Sequence, residues 1–454
     1  MPNIHFIAIG GNVMHQLAIT LEQKGYHVTG SDDEIFEPAY SNLKNAGLLP
    51  NELGWFPIKI TNNLDAIVVG MHARDDNPEL VQAKQLGIPT YSFPEFIFNE
   101  SKNKMRVVIG GSHGKTTTTA MVMHVLKQAN LDFDYLVGAQ LNGFPQSVQL
   151  TNAPVIVCEG DEYPASALDK RPKFHFLFPN IAVITGIAWD HINVFPTFDI
   201  YLQQFSIFIE KIEPGGTLIY NAEDATLKQL VLQQTRKDIQ YIHYTLPTHK
   251  VDAGTTYITM EDITVPLKVF GNHNLYNLHA AYWVCRKLGV TTEVFLKAIQ
   301  SFTGASKRLE VILANDSITI FRDFAHAPSK VKATIEAVKT QYPQRHLTAV
   351  FELHTYSSLN ANFFKEYNGV FEKADSCAVF YAEHALAIKK MPPIDETILR
   401  AGFNQSNLAI FHNKEALLSW LQQQPKINSN LLLMSSGNFD GLDLEALKSN
   451  YIPN

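Results

Sequence analysis

The chain has 454 residues, 46% hydrophobic and only 18% charged. That is apolar mass enough for roughly two to four cored domains and too much for a disordered polymer. The formal net charge of −7 and a pI near 6.2 supply no basic face for a nucleic-acid backbone. Cys158, Cys285 and Cys377 are odd in number and lack CxxC spacing, which excludes a disulfide framework or a zinc site and fits a reducing compartment.

The opening MPNIHFIAIGG has no basic region before its apolar run and is not read as a signal peptide. The longest apolar stretch, around 174–189, is interrupted by His175, Pro179 and Asn180, short of the ~20 residues a membrane span needs. The expectation is a soluble, cytoplasmic, multidomain α/β protein.

Strands are predicted at 4–9, 27–30 and 66–70, with a helix to Lys24 and another over 78–86 capped by Asn77 with Pro78 in its first turn. This alternation predicts a parallel sheet with right-handed crossovers. Residues 99–104 read as a linker. A second block opens with a strand at 105–109, then GGSHGKTTTT entering a helix to Ala129, and further strands at 154–158 and 181–186. Residues 250–270 alternate like an antiparallel ribbon, followed by helices near 275–288 and 292–301. Beyond Arg308, strands at 310–313 and 318–322 flank a turn, and strands and helices alternate to a last strand at 431–434. The expected domains are 1–104, 105–308 and 309–454.

The strongest motif is Gly111-Ser112-His113-Gly114-Lys115-Thr116-Thr117 between strand and helix. Backbone N–H groups of such a loop cradle a polyphosphate, the lysine neutralises its outer oxygens, and the next hydroxyl ligates Mg²⁺. The general Walker pattern fails formally, because Ile109 stands where its first glycine belongs. Cys158-Glu159-Gly160-Asp161-Glu162 ends a strand with three carboxylates, whose repulsion a divalent cation would relieve. Trp189-Asp190-His191 ends another, where a neutral imidazole can complete a metal shell. Asn274, in Gly271-Asn272-His273-Asn274, either caps a helix or reads an adenine edge. Arg308 and Asp323 suit a phosphate and ribose hydroxyls.

The order GSHGKTT, E-x-D-E, DH, GNHN, KR and DFAHAP resembles the Mur ligase family over nearly the whole chain. That resemblance implies a Rossmann-like N-terminal domain for a UDP-sugar, a central P-loop ATPase domain and a Rossmann-like C-terminal domain on the amine-substrate side. It implies ATP with two Mg²⁺ ions, and UDP-N-acetylmuramate activated as an acyl phosphate before an amine attacks. Lys115 would hold the β/γ phosphates, Thr116 and Glu159 one metal, and His191 a second. Gly111, Ser112, His113, Gly114, Thr117, Asn274, Arg308 and Asp323 would complete the ATP site. Gly11, Asn12 and Asp32 would lie along the UDP, and His354, Ser436 and Phe439 near the amine.

The insert YPASALDKRPKF, the segment DHINVFPTFDIYLQQF and the ending MSSGNFDG are similar to the murein peptide ligase branch. That branch joins UDP-N-acetylmuramate to the tripeptide L-alanyl-γ-D-glutamyl-meso-diaminopimelate in cell-wall peptide recycling. The L-alanine-adding branch is the alternative. Departures from the family pattern are Ser112 in place of threonine, Ser206 where some relatives carry a carbamylated lysine, and FELHTY (351–356), which lacks an arginine. From another class, a nicotinamide-dependent dehydrogenase would place glycines at 8, 10 and 13, where the chain has Ala8, Gly10 and Val13. A non-catalytic nucleotide-binding module would not need the metal-ligand set.

Overall fold

A computed structural model describes residues 1–451 apart from 139–140, 142, 190–193 and 306–307. The chain divides into two compact units, one of Met1–Trp189, Asn193–Thr245 and Asn277–Ala298, the other chiefly of Leu246–Tyr276 and Ile299–Asn454. Among the described residues no helix is long and apolar enough to cross a membrane.

The first unit holds two sheets. Strands β1 (Asn3–Ile7), β2 (His27–Ser31), β3 (Ala66–Val69) and β4 (Thr90–Ser92) form a parallel sheet in the order β2-β1-β3-β4. The second sheet contains β5 (Met105–Gly110), β6 (Asp134–Leu136), β7 (Val148–Gln149), β8 (Val155–Glu159), β9 (Ile181–Ile184), β10 (Thr217–Asn221) and β11 (Gln240–Tyr244). Its order is β11-β10-β9-β5-β8-β6-β7, parallel throughout except for β7. The central strands are near-continuous apolar runs, as expected when helices cover both faces. The last two strands, β10 and β11, lie beyond the expected elements. β11 is an edge strand of mostly part-exposed residues, so its sequence carries no clean apolar signal.

One apolar cluster runs from Phe6, Leu17 and Phe96 through Val108, Ile156 and Phe208, so both sheets share a continuous core. The predicted linker at 99–104 is accordingly not a free connection. A helix spans Phe93–Ser101, and the carbonyls of Ser101 and Lys102 accept from the Arg106 guanidinium at 2.9 and 3.0 Å. The segment's backbone thus satisfies a buried arginine, a task the side-chain composition does not reveal.

In the second unit β12 (His249–Asp252), β13 (Thr255–Met260) and β14 (Ile263–Leu267) form the expected antiparallel ribbon. The last sheet contains β15 (Glu310–Ala314), β16 (Ile318–Asp323), β17 (His346–Glu352), β18 (Ser376–Phe380), β19 (Leu408–Phe411) and β20 (Ser429–Met434). Its order is β15-β16-β20-β17-β18-β19, parallel except for β15. Behind it the Tyr367 and Phe403 rings stack with centroids 5.0 Å apart.

The helix over Pro78–Leu86 forms as predicted, with the Asn77 side chain accepting from the backbone N–H groups of Glu79 and Leu80 at 3.0 and 3.2 Å. Asn77→Ala removes both acceptors from a buried cap and should cost about 1 kcal/mol. A lowered denaturant midpoint with an unchanged slope is the expected result.

Candidate active site

The loop between β5 and the helix Lys115–Gln128 is built by two glycines that no other residue can replace. Gly111 has φ of 127°, and a Cβ there would stand 2.1 Å from Thr185 Oγ1. Gly114 has φ of 80°, and its Cβ would stand 2.1 Å from Asn277 Oδ1. The tight turn is thus made at 111 and 114, without the glycine that the general pattern wants at 109.

Around this loop the charges pair selectively. Lys115 Nζ donates to the Gly111 carbonyl and to Glu162 Oε2, each at 2.6 Å. Burial alone would lower the Lys115 pKa, but Glu162, Asp161 and Glu159 outweigh it and hold the pKa above the ordinary lysine value. Asp161 pairs with Lys173 at 2.6 Å. Among the described residues Glu159 makes no ion pair with a lysine, arginine or histidine. Its Oε1 accepts from Thr116 Oγ1 at 2.7 Å and its Oε2 from the Gly138 N–H at 3.2 Å. Of three neighbouring carboxylates, Glu159 is the one left for a cation brought from outside.

Ser112 and His113 are engaged within the loop. Ser112 Oγ bonds Tyr201 OH at 2.7 Å and accepts from the Ala188 N–H at 2.9 Å, while His113 Nδ1 meets the Ser112 carbonyl at 2.7 Å. Thr117 is buried inside the helix. Asp190 and His191 lie outside the described residues, so the expected second metal ligand has no geometry here. Glu162, Lys173, Thr185 and Asn277 were not among the expected site residues. Asn277 follows Asn274 by three positions on one helix, the spacing that puts two amides on a shared face.

At the C-terminal ends of the first sheet's strands lies a cleft of about 590 Å³ lined by Gly10, Gly11, Asp32, Trp55, His72 and Arg74 among others. Asp32 is buried and accepts from the Gly10 and Asp33 N–H groups at 2.7 and 3.0 Å. Burial pushes its pKa up to about 6, helped by the neighbouring Asp33 carboxylate and opposed by the Gly10 and Glu34 N–H groups. Asn12 opens the helix Asn12–Gln23, its amide reaching the Gly138 carbonyl at 3.5 Å. His72 and Arg74, exposed side chains of this cleft, sit in a loop with no motif to mark them.

The remaining expected residues belong to the second unit. Asn274 is not a helix cap: it lies within the helix Asn272–Lys287, and its buried amide donates to the Phe270 carbonyl at 2.9 Å. The Arg308 guanidinium lies over the Phe324 ring at 5.1 Å. Asp323, also buried, accepts from the Leu309 and Ala325 N–H groups, each at 2.7 Å, tying the backbone on both sides of the sheet edge. His354 and Ser436 follow the ends of β17 and β20, and the Phe439 N–H donates to Glu352 Oε2 at 2.8 Å.

Three family models match this chain in series: the Mur ligase family catalytic domain over residues 3–101, the Mur ligase middle domain over 109–285 and the Mur ligase glutamate ligase domain over 307–437. The UDP-N-acetylmuramate–L-alanine ligase of Desulforamulus reducens is 32% identical over 384 residues, 82% of this chain and 81% of that protein. The chain belongs to the Mur ligase family. It is therefore an ATP-dependent, amide-forming ligase. The Clostridium acetobutylicum protein of the same name is 30% identical, covering 96% of this chain and 95% of its own.

Solved structures of two Mur ligases share the fold. A murein peptide ligase from Psychrobacter arcticus matches with TM-score 0.62 and 22% identity over 100% of both chains. The UDP-N-acetylmuramate-alanine ligase from Thermotoga maritima matches with TM-score 0.66 and 22% identity over 99% of this chain and 98% of its own. Such neighbours share a three-domain α/β architecture, and the dehydrogenase and non-catalytic alternatives fall away.

Asp32 yields a pH test in this Mur ligase. Its folded pKa lies above the ordinary 3.8, so the native state binds the extra proton. Stability contributed by Asp32 is full below about pH 4 and is lost as pH rises through about 6. Asp32→Asn keeps an acceptor for Gly10 and should flatten that window by roughly 1–3 kcal/mol. Denaturant melts at both ends of the window read the difference.

Proposed function

We propose that this Mur ligase activates UDP-N-acetylmuramate and joins it to the amino group of an L-alanyl acceptor. A carboxylate oxygen of the sugar's lactyl group attacks the γ-phosphorus of ATP, and ADP leaves. The acceptor nitrogen then attacks the acyl phosphate carbon, and inorganic phosphate departs. A bare carboxylate cannot react with an amine, since oxide is too poor a leaving group. The observation carrying this reading is the phosphate loop with its one uncommitted carboxylate, set within a chain whose matches are ligases over nearly its full length.

In this reading Gly111, Ser112, His113, Gly114 and Thr117 frame the polyphosphate, and Lys115 leaves Glu162 to hold the β/γ oxygens. Thr116 and Glu159 fit an Mg²⁺ ion, because hydroxyl and carboxylate already converge and no lysine or arginine among the described residues pairs with Glu159. Mg²⁺ supplies charge neutralisation to the phosphates when bound. By family resemblance alone, His191 serves a second ion, and Asn274, Arg308 and Asp323 serve the adenine, a phosphate and the ribose. Gly11, Asn12 and Asp32 lie along the UDP, in the cleft that also presents His72 and Arg74. The divisions 1–104, 105–308 and 309–454 carry the UDP-sugar, the ATP and the acceptor. The reaction belongs in the cytoplasm, where ATP is available.

For the acceptor, the curated relatives named above support free L-alanine. The tripeptide reading keeps its support in the DKRPKF insert and the SSGNFDG ending. Three of the insert's four charges, however, pair locally: Lys173 holds Asp161 and Arg171 holds Asp169, while Lys170 is exposed. The insert thus serves the acidic loop, and its resemblance does less to argue for a peptide. With equimolar L-alanine and tripeptide, UDP-N-acetylmuramate and ATP, the single-alanine product should predominate by mass. Predominance of the tripeptide product would reverse the assignment, because remote binding energy would then be needed to orient the amine.

Lys115→Ala should lower turnover at least ~10²-fold, the scale for one lost donor to a developing charge. It also strips Glu162 of its buried cation, so melting should fall as well. Adding Glu162→Gln should restore the melt and leave turnover low. Wild-type turnover in the double variant would remove Lys115 from the phosphate site.

A further inference from the structure

The C-terminal ends of β17 and β20 hold a buried carboxylate that no motif marks. Glu352 closes β17 and is 2% exposed. Its Oε2 accepts from Ser435 Oγ and from the Phe439 N–H, the latter at 2.8 Å. Its Oε1 stands 3.7 Å from Nδ1 of His354, just beyond hydrogen-bond distance. The loop 435–440 wraps this pair closely. A Cβ on Gly437 would lie 2.6 Å from His354 Nδ1 and 2.9 Å from Glu352 Oε2, so only glycine passes there. Phe439 and Asp440 take left-handed backbone, with φ of 51° and 58°. Beside them Ser436 Oγ is buried with no partner among the described residues, a polar group that a bound acceptor can satisfy. His354 itself is about one-third exposed, its side chain at 36%.

A fully buried acid behind a half-exposed imidazole, with a hydroxyl beside them, has one clear chemical use. The carboxylate draws the ring proton to Nδ1 and leaves Nε2 as the accepting nitrogen. We propose that Glu352 is a positioning residue for the amide-forming step, holding His354 in the tautomer whose Nε2 takes the proton shed by the acceptor amine. This rests on the reading above that the C-terminal part of the chain presents the acceptor.

The step balances without a further reagent. The acceptor ammonium gives one proton to His354 Nε2, and the freed lone pair attacks the acyl phosphate carbon. The C–N bond forms, the C–O bond to phosphate breaks, and the electron pair leaves on inorganic phosphate. That phosphate takes the second proton from the nitrogen. Nothing is oxidised or reduced.

The test replaces the acceptor with hydroxylamine, whose nitrogen is already unprotonated at neutral pH and needs no base. Glu352→Gln is nearly isosteric, and its amide oxygen can keep the bonds to Ser435 and Phe439. Its NH₂ group would donate to Nδ1, moving the ring proton to Nε2 and giving the wrong tautomer. The full chain is assayed with ATP, Mg²⁺ and UDP-N-acetylmuramate, against L-alanine, the tripeptide or hydroxylamine. With whichever natural acceptor the wild type uses, kcat should fall ~10²-fold and KM by less than ~3-fold, while the hydroxamate rate stays within about twofold.

An equal loss with hydroxylamine would make Glu352 a merely structural residue and overturn the proposal, as would an unchanged kcat for the natural acceptor. If Glu352→Gln does not melt cooperatively, His354→Gln carries the same comparison with the carboxylate left in place. A wild-type chain that forms no hydroxamate fails the ligase reading itself and takes this proposal with it. A spared hydroxamate with lost ligation distinguishes the two.

Discussion

Three carboxylates within four residues cannot share the end of one strand unless each is answered, and the phosphate loop is organised around that constraint. Lys115 answers Glu162 and Lys173 answers Asp161. Among the described residues Glu159 is answered by a hydroxyl and a backbone N–H. The arrangement gives the loop lysine a buried partner and leaves Glu159 without a lysine, arginine or histidine partner among the described residues. It also explains the insert after the acidic loop. Residues 165–173 return the chain so that Lys173 meets Asp161 and Phe174 enters the core. A segment that resembles a specificity element thus has a local electrostatic task.

The glycines follow from the same closeness. Thr185 at the end of β9 and Asn277 on the helix Asn272–Lys287 press against Gly111 and Gly114, so the loop is enclosed by side chains from two further elements. A polyphosphate cradle needs backbone N–H groups held facing inward, and enclosure by packed neighbours supplies that without cost at binding. Asp323 illustrates a different balance in the second unit. Its oxygens already accept two backbone N–H groups, so any ribose contact must add to those bonds, using remaining lone pairs.

Much of the fold was legible because the alternation of apolar strands with capped helices is a local signal. Asn77-Pro78 and the strands flanking GSHGKTT are examples. Less legible was what depends on contacts distant in sequence. The polar run 99–104 resembles a linker until Arg106 is seen to need its carbonyls. Asn274 reads as a cap or an adenine reader until it is found inside the helix, its amide bonded back to the Phe270 carbonyl before it. At the site, glycine and lysine announce themselves by motif, whereas Glu162 becomes a partner of Lys115 only when β8 lies beside β5. His72 and Arg74 had no sequence signal, since a polar loop side chain is ordinarily solvated.

Glu352 and Glu159 show why burial and partners, rather than residue type, decide what a carboxylate does. Both end parallel strands, where side chains emerge at the sheet's carboxyl edge. Glu159 meets a hydroxyl and a single N–H, an arrangement open to a cation supplied from outside. Glu352 is nearly solvent-free, has one oxygen committed to Ser435 and Phe439, and faces an imidazole with the other. A cation brought to Glu352 would have to displace that ring, whereas a proton on the ring is already answered. The same functional group thus suits charge neutralisation at one strand end and control of a proton at the other. FELHTY, where a relative's arginine is missing, gains a physical meaning from this contrast. An arginine in that segment could compete with His354 for the carboxylate, and without one Oε1 is left facing the imidazole.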